Sequence, residues 1–146
     1  MTPTILCQTM CWMPLKAADA VPAGYPPAAL GPDDPGKLSD PTRKAIEDPD
    51  NDVLFSTASI WEVAIKVRQG LPDFALGAER IARESIRRGF VELMIRWQAA
   101  AVVADLPLHH RDPFDRILLA QAVTEPVHFY TVDRKLTPYS PLVVLA

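Results

Sequence analysis

From Ser39 onward the chain alternates short apolar strands with amphipathic helices, and this alternation constrains the fold more than any other feature. Strands are predicted over residues 53–56, 90–95, 127–131 and 142–145, and helices over residues 42–47, 60–67, 78–88, 97–104 and 113–123. Strands that alternate with helices form βαβ units, in which helices cover both faces of parallel strands. The pattern therefore predicts an α/β fold, a three-layer α/β/α arrangement around a mostly parallel sheet.

The first 36 residues show neither the period of a strand nor that of a helix, and they hold seven of the fifteen prolines. Proline removes a backbone donor and fixes φ, so it interrupts both central strands and long helices. We therefore expect residues 1–32 to form an atypical proline-rich segment that is loop-like or disordered.

Size and composition limit the classes of protein that remain. The 146 residues are 49% hydrophobic, which is enough for one domain with its own core. The formal net charge of −3 argues against strong non-specific attraction to nucleic acid, but it does not exclude a nucleic-acid substrate. Cys7 and Cys11 lack the second pair that a structural zinc site needs. No apolar stretch approaches the roughly 18 to 20 residues that span a bilayer, and the N-terminus lacks a positively charged signal region, so we expect a cytoplasmic protein.

Three acidic residues stand where a parallel sheet gathers its ligands. Glu62 lies in the first turns of the helix after a predicted strand, Asp115 opens the helix over residues 113–123, and Asp133 follows another strand. Ligands of open α/β sheets bind beyond the carboxyl ends of the strands, so these carboxylates are expected to converge. Converging carboxylates indicate a site for a hard cation.

Each of these acids also has a structural interpretation. Glu62 has the spacing of a capping box with Ser59 and of an ion pair with Lys66. Asp115 favours the positive end of its helix dipole, and Asp133 is suited to an Asx turn after its strand. The functional interpretation rests on the prediction that all three residues lie at the same edge of the same sheet.

Histidine and tryptophan residues allow weaker hypotheses. His109 and His110 precede the helix over residues 113–123 and have no cysteine nearby. Neutral imidazole binds metals and carries protons, yet we expect a loop role here. Trp61 and Trp97 lie in patterned helices, where packing into the core or a dimer face is expected rather than stacking on bases.

Three blocks of this sequence resemble the VapC-type PIN-domain toxins. They are SIWEVAIK at residues 59–66, LPLHHRDPFDRILLAQA at residues 106–122 and YTVD at residues 130–133. The resemblance covers about residues 33–146 and implies a PIN-like domain there. It also implies a Mg²⁺-dependent or Mn²⁺-dependent ribonuclease of a type II toxin-antitoxin system, usually a homodimer, which acts on RNA and is inhibited by a VapB-type antitoxin.

The resemblance further implies roles for particular residues. Glu62, Asp115 and Asp133 correspond to three of the family's four acidic positions, with Asp115 and Asp133 as metal ligands and Glu62 orienting or deprotonating the attacking water. The auxiliary residues are Asp112, as a further acid or helix cap, and Arg116 and Lys66, as phosphate contacts. Members of the family begin with a short apolar strand that ends in Asp-Thr-His or a similar tripeptide. We expect this strand and its Asp to be missing here.

The sequence is compatible with three functions. A chain without the first acid can be an impaired nuclease, or a catalytically inactive PIN-fold protein that binds an antitoxin or a dimer partner. Another Mg²⁺-dependent α/β protein, such as a phosphatase or a phospho-acceptor domain, also collects acids at strand ends. The block Asp112-Pro113-Phe114-Asp115-Arg116 favours the PIN interpretation over that one.

Overall fold

A computed structural model describes residues 4–7, 39–70 and 77–146. The elements in chain order are β1 (Thr4–Cys7), α1 (Asp40–Glu47), β2 (Asp52–Ser56), α2 (Thr57–Arg68), α3 (Ala78–Arg87), β3 (Val91–Leu93), α4 (Trp97–Val102), α5 (Pro113–Thr124), β4 (His128–Thr131), a 3₁₀ helix (Arg134–Tyr139) and β5 (Val143–Leu145). No helix within these ranges is long and apolar enough to cross a membrane.

The strands form one five-stranded sheet in the order β3-β2-β1-β4-β5. Every strand pair in the described part of the chain is parallel. In the central strand, Leu6 is in register with Leu54 of β2 on one side and with Phe129 of β4 on the other. The sheet confirms the predicted α/β fold.

The prediction that the first strand is missing is wrong. Thr4–Cys7 is the central strand, and Leu6 is completely buried. The prolines at positions 3 and 14 lie outside this four-residue run, so every backbone donor within it is retained. Its stability comes from pairing with two neighbours far along the chain, which a proline-rich local sequence does not reveal. The loop-like or disordered state predicted for the rest of the segment, residues 8–32, lies outside the described residues.

Two hydrophobic clusters cover opposite faces of the sheet. Val53 and Phe55 of β2 belong to one cluster, and Leu54 between them belongs to the other. Successive side chains of a strand point to opposite faces, so helices must cover both sides. The first cluster contains Ile46, Val63, Ile81 and Phe90, and the second contains Leu6, Ala58, Leu118, Leu119, Ala122, Val127, Phe129, Leu136 and Val143. The core therefore has the predicted three-layer arrangement.

A buried polar connection fixes the helices at the carboxyl edge of this sheet. Ser56 ends β2 and caps α2, because its Oγ accepts a hydrogen bond from Ala58 N at 3.0 Å. The same Oγ donates to Gln121 Oε1 of α5 at 2.5 Å, and Gln121 Nε2 donates to the carbonyls of Leu93 and Met94. The predicted capping box at Ser59 is therefore wrong, since α2 begins at Thr57. The connection brings the start of α2 and the middle of α5 to the same edge.

Candidate metal centre

The acidic residues predicted to converge lie at the carboxyl edge of the sheet. Glu62 is on α2, which starts directly after β2, and Asp133 caps the 3₁₀ helix that follows β4. Asp115 is in the first turn of α5. The order of the parallel strands thus brings together residues that are up to 71 positions apart in the sequence (133 − 62 = 71).

The loop between α4 and α5 is held in place by Arg116. Its Nη1 donates to Pro107 O at 2.8 Å and to His110 O at 3.4 Å, and its Nη2 donates to Val103 O at 2.8 Å and to Leu106 O at 3.0 Å. Arg116 is only 8% exposed. The prediction that it contacts phosphate is wrong, because the guanidinium is buried against the carbonyls of its own loop.

Tyr139 and Asp112 fix the last part of this loop. The backbone N–H of His110 donates to Tyr139 Oη at 2.5 Å, and the ring of His109 packs edge-on against the Tyr139 ring with centroids 5.2 Å apart. The backbone N–H of Asp112 donates to His110 Nδ1 at 3.1 Å. The backbone N–H, the backbone carbonyl and one ring nitrogen of His110 are therefore all hydrogen-bonded to neighbouring residues.

The remaining ring nitrogen of His110 lies between two of the predicted acids. Nε2 is 3.3 Å from Asp115 Oδ2 and 3.0 Å from Asp133 Oδ2. One ligand atom from each of these three residues lies within 4.8 Å of the others. The His110 ring thus lies within the acidic group, a contact that the expectation of a loop role did not include, whereas His109 is outside this group.

Asp133 divides its two carboxylate oxygens between two partners. Oδ1 accepts from Lys135 N at 2.9 Å, which caps the 3₁₀ helix, and Oδ2 faces His110. The backbone N–H of Lys135 is the main cause that holds the pKa of Asp133 below its usual range, and the His110 ring adds to this effect against the opposing effect of burial. The Asx turn and the inward-facing carboxylate are thus compatible.

Asp115 has the opposite electrostatic environment. Burial, followed by the negative charge of Asp112, raises the pKa of Asp115 from 3.8 to about 6, although the His110 ring opposes the change. Glu62 and Asp133 raise it further. Burial and neighbouring acids both disfavour the charged form of Asp115, and a divalent cation is the kind of partner that would favour it.

Glu62 lies near this pair but has a cationic partner of its own. Its Oε1 is 2.6 Å from the ammonium of Lys66, one helical turn away. Its charge acts on Asp115, yet it is not one of the three residues with closely grouped ligand atoms. The predicted ion pair of Glu62 with Lys66 is therefore observed. Glu62 also lies close enough to Asp115 for its charge to raise the pKa of that carboxyl.

Asp112 is the N-cap of α5. Its Oδ1 accepts from Phe114 N at 2.8 Å and from Asp115 N at 3.3 Å. This is the helix-cap role, with an additional electrostatic effect on Asp115.

The two tryptophans do not pack into the core. Trp61 is 60% exposed and meets Phe114 edge-on, with ring centroids 5.1 Å apart. Trp97 is 76% exposed. Core packing is therefore excluded for both, and a dimer face stays a prediction.

The donor set fits a divalent cation. Asp115 and Asp133 present carboxylate oxygens to one place, and Glu62 presents a third carboxylate nearby. Mg²⁺ is bound in proteins through one or two carboxylates and keeps several of its waters, and Mn²⁺ accepts similar oxygen ligands.

One expected carboxylate is absent from the sequence. The residues that follow β1 are Gln8-Thr9-Met10, where the resemblance leads us to expect Asp-Thr-His. These three residues lie outside the described ranges. A strand is thus present here, and no acid follows it directly in the sequence.

Comparison with known protein families agrees with this arrangement. The PIN domain family matches residues 29–138, which is more than half of the chain. No curated protein matches the sequence. PIN domains are generally nucleases that depend on divalent metals. The parallel sheet, the acids at its carboxyl edge and the family match lead to one conclusion: the chain belongs to the PIN domain family.

Proposed function

We propose that this protein is a VapC-type ribonuclease toxin of a type II toxin-antitoxin system, which hydrolyses RNA in the cytoplasm with Mg²⁺ or Mn²⁺. One observation carries the proposal. Asp115 and Asp133 are grouped at the carboxyl edge of a PIN fold, and the pKa of Asp115 is raised to about 6 by burial and by its acidic neighbours. A divalent cation bound beside Asp115 would favour the charged form of this carboxyl group.

The three acidic residues have different roles in the proposed hydrolysis. Asp115 and Asp133 would hold the cation, and Glu62 would orient the attacking water and accept its proton. A bound divalent cation supplies charge stabilisation at the phosphate and favours formation of the nucleophile. The water oxygen forms a bond to phosphorus, the phosphodiester P–O bond breaks, and the leaving oxygen takes a proton from solvent to become an alcohol. Glu62 returns its proton to solvent.

Lys66 is the cation of α2 best placed to contact the substrate in this proposal. Its ammonium is partly exposed and lies 2.6 Å from Glu62. A lysine acts on phosphate as a flexible point charge, so it can contact an RNA phosphate beside the carboxylates. The net charge of −3 gives little general attraction to RNA, so local contacts of this kind must provide the binding.

Cleavage of a structured RNA by the purified chain tests the proposal. We expect cleavage with Mg²⁺ or Mn²⁺ that stops with EDTA. Asp115→Asn should reduce the rate at least about 100-fold, because it removes a charged ligand and keeps the shape of the side chain.

Asp105→Asn is the matched control, because Asp105 is exposed and is not among the charges that act on Asp115. Its rate should stay within about twofold of the wild type, as expected for a surface substitution away from the site. Equal cleavage by wild type and Asp115→Asn would show that the assignment is wrong. Hydrolysis of small phosphate esters without RNA cleavage would favour the phosphatase class instead.

A second candidate function follows from the sequence after β1. Gln8-Thr9-Met10 provides no carboxylate at the end of the central strand. A PIN-fold protein that binds an antitoxin without cleaving RNA is consistent with that replacement. Tight binding of a VapB-type antitoxin, together with no metal-dependent cleavage, would establish this function in place of the first.

The proposed homodimer and antitoxin need a surface, and the edge strand β3 offers one. The large apolar side chains exposed between β3 and the start of α4 are Val91, Met94, Ile95 and Trp97. Contiguous apolar exposure beside an open strand edge is typical of a protein interface. Met94→Glu should convert a dimer to a monomer in light scattering, whereas Leu108→Glu, at a single exposed side chain in another loop, should not. A monomeric wild type would rule out the dimer.

A further inference from the structure

The protonation of the His110 ring follows from its hydrogen bonds. Nδ1 accepts the backbone N–H of Asp112 at 3.1 Å, so Nδ1 carries a lone pair and no hydrogen. A neutral imidazole with an accepting Nδ1 has its hydrogen on Nε2. The hydrogen on Nε2 is therefore donated to Asp133 Oδ2 at 3.0 Å, and Asp115 Oδ2 lies beside this bond, 3.3 Å from Nε2.

This arrangement is the reverse of what a metal ligand requires. A histidine that binds a metal through Nε2 offers a lone pair there, and it donates its Nδ1 hydrogen to a carboxylate or carbonyl. Here Nδ1 faces a donor, the Asp112 N–H. The lone pair is on the wrong nitrogen for coordination at the acidic group.

We propose that His110 is a positioning residue whose Nε2–H joins Asp115 and Asp133 and holds them ready for the metal, without binding the metal itself. The inference rests on the proposed function, since it concerns the same site. Each carboxylate has about four acceptor positions on its two oxygens, so one hydrogen bond from His110 leaves others for a cation. Carboxylates that ligate a metal are themselves commonly oriented by such hydrogen bonds.

The rigidity of the loop makes His110 suitable for this role. The carbonyl of His110 accepts from Arg116, its N–H donates to Tyr139, and its Nδ1 is held by Asp112 N. The donor thus comes from a fixed point 23 residues away from Asp133 in the sequence. A fixed donor reduces the reorganisation that two adjacent carboxylates need before they bind a cation.

Mn²⁺ binding to the full chain, measured by calorimetry, tests the inference. His110→Ala should weaken binding about 10-fold to 100-fold, which is the usual effect of removing a residue that orients ligands. His110→Gln should recover part of the lost affinity, because the glutamine amide N–H extends about as far from the backbone as Nε2 of histidine. The control is Leu108→Ala, since this side chain of the same loop is 82% exposed, and it should change the affinity less than about threefold. Unfolding curves show whether each variant is folded.

Pulsed EPR of the Mn²⁺-loaded protein separates positioning from ligation. The proposal predicts no coupling between Mn²⁺ and an imidazole nitrogen in the wild type. A nitrogen coupling that disappears in His110→Ala would show that His110 is a ligand and overturn the proposal. Unchanged or tighter Mn²⁺ binding in His110→Ala would overturn it as well. Absence of Mn²⁺ binding by the wild type would overturn the proposed function, and this inference with it.

Discussion

The two sides of the acidic site balance their negative charge in different ways. Asp115 and Asp133 meet a ring donor from a loop that Arg116 and Tyr139 hold in place. Glu62 meets the flexible ammonium of Lys66 from its own helix. The first arrangement depends on long-range structure and fixes the distances between carboxylates, whereas the second is local and can rearrange. The difference shows that the geometry of the site depends on the loop before α5, and that α2 contributes an adjustable charge pair.

The largest expected effect is on the loop itself. Arg116→Met deprives four loop carbonyls of the donors that the guanidinium provides, and it should lower the free energy of unfolding by about 3 kcal/mol or more. Arg83→Met is the matched control, because the ion pair of Arg83 with Glu79 is highly exposed. It should cost less than about 1 kcal/mol. Urea unfolding measures both, and equal losses would contradict the role given to Arg116.

The second effect concerns the charge on Asp115 in the absence of metal. Its pKa is raised from 3.8 to about 6, so the folded state holds the proton more tightly than the unfolded state. The resulting cost to stability is absent below pH 4, grows between pH 4 and pH 6, and is complete above pH 6. Asp115→Asn should therefore be more stable than the wild type by on the order of 2 kcal/mol at pH 7.5 in EDTA, and similar to it near pH 4.

Unfolding curves recorded across this pH range provide the measurement. Mn²⁺ should then reverse the order at pH 7.5, because it stabilises only the protein that retains the ligand. Stability curves of the two proteins that stay parallel from pH 4 to pH 8 would contradict the electrostatic account of Asp115.

A third prediction concerns an additional carboxylate directly after β1. β1 ends at Cys7 between β2 and β4, and the next residue in the sequence is Gln8, which lies outside the described ranges. Gln8→Asp should tighten Mn²⁺ binding about tenfold in calorimetry, since another carboxylate raises the charge of the donor set. Gln8→Asn, which adds no charge, should leave the affinity unchanged. A higher Mn²⁺ affinity in both variants, or in neither, would contradict the hypothesis that the family's additional acid belongs at this position.

The smallest effect on stability is expected for the ion pair between Lys66 and Glu62 on α2. Lys66→Met breaks the pair with Glu62, and such a pair one helical turn apart contributes only about 0.3 to 0.5 kcal/mol. We expect nearly unchanged stability and an increased KM for RNA, because a phosphate contact is lost. Steady-state cleavage kinetics measure the KM, and Lys44→Met on α1 serves as the control. A loss of stability above about 2 kcal/mol would show that α2 is as rigidly constrained as the loop before α5.

Local signals explain what could be predicted from the sequence. Asp112 followed by Pro113 marked the start of α5 correctly, because capping is decided within one turn. Glu62 and Asp133 just after strands, and Asp115 at the start of a helix, were enough to predict one shared edge of the sheet.

Long-range partners explain what could not be predicted. β1 is only four residues long and is stabilised by strands 48 and 123 positions away, as the pairs Thr4 with Asp52 and Ile5 with His128 show (52 − 4 = 48; 128 − 5 = 123). The role of Arg116 depends on where carbonyls of an irregular loop point, and sequence patterns do not encode this. His110 carried one usable signal, since a residue two positions before an N-cap lies beside the first turn of the helix.

A crystal structure of the Mn²⁺-loaded protein, with anomalous difference density, tests the central claim most directly. The account predicts a Mn²⁺ peak at about 2.0 to 2.3 Å from carboxylate oxygens of both Asp115 and Asp133. The His110 ring should remain hydrogen-bonded to Asp112 N. A peak at another surface, or none at concentrations where calorimetry shows binding, would contradict the placement of the metal centre at this edge of the sheet.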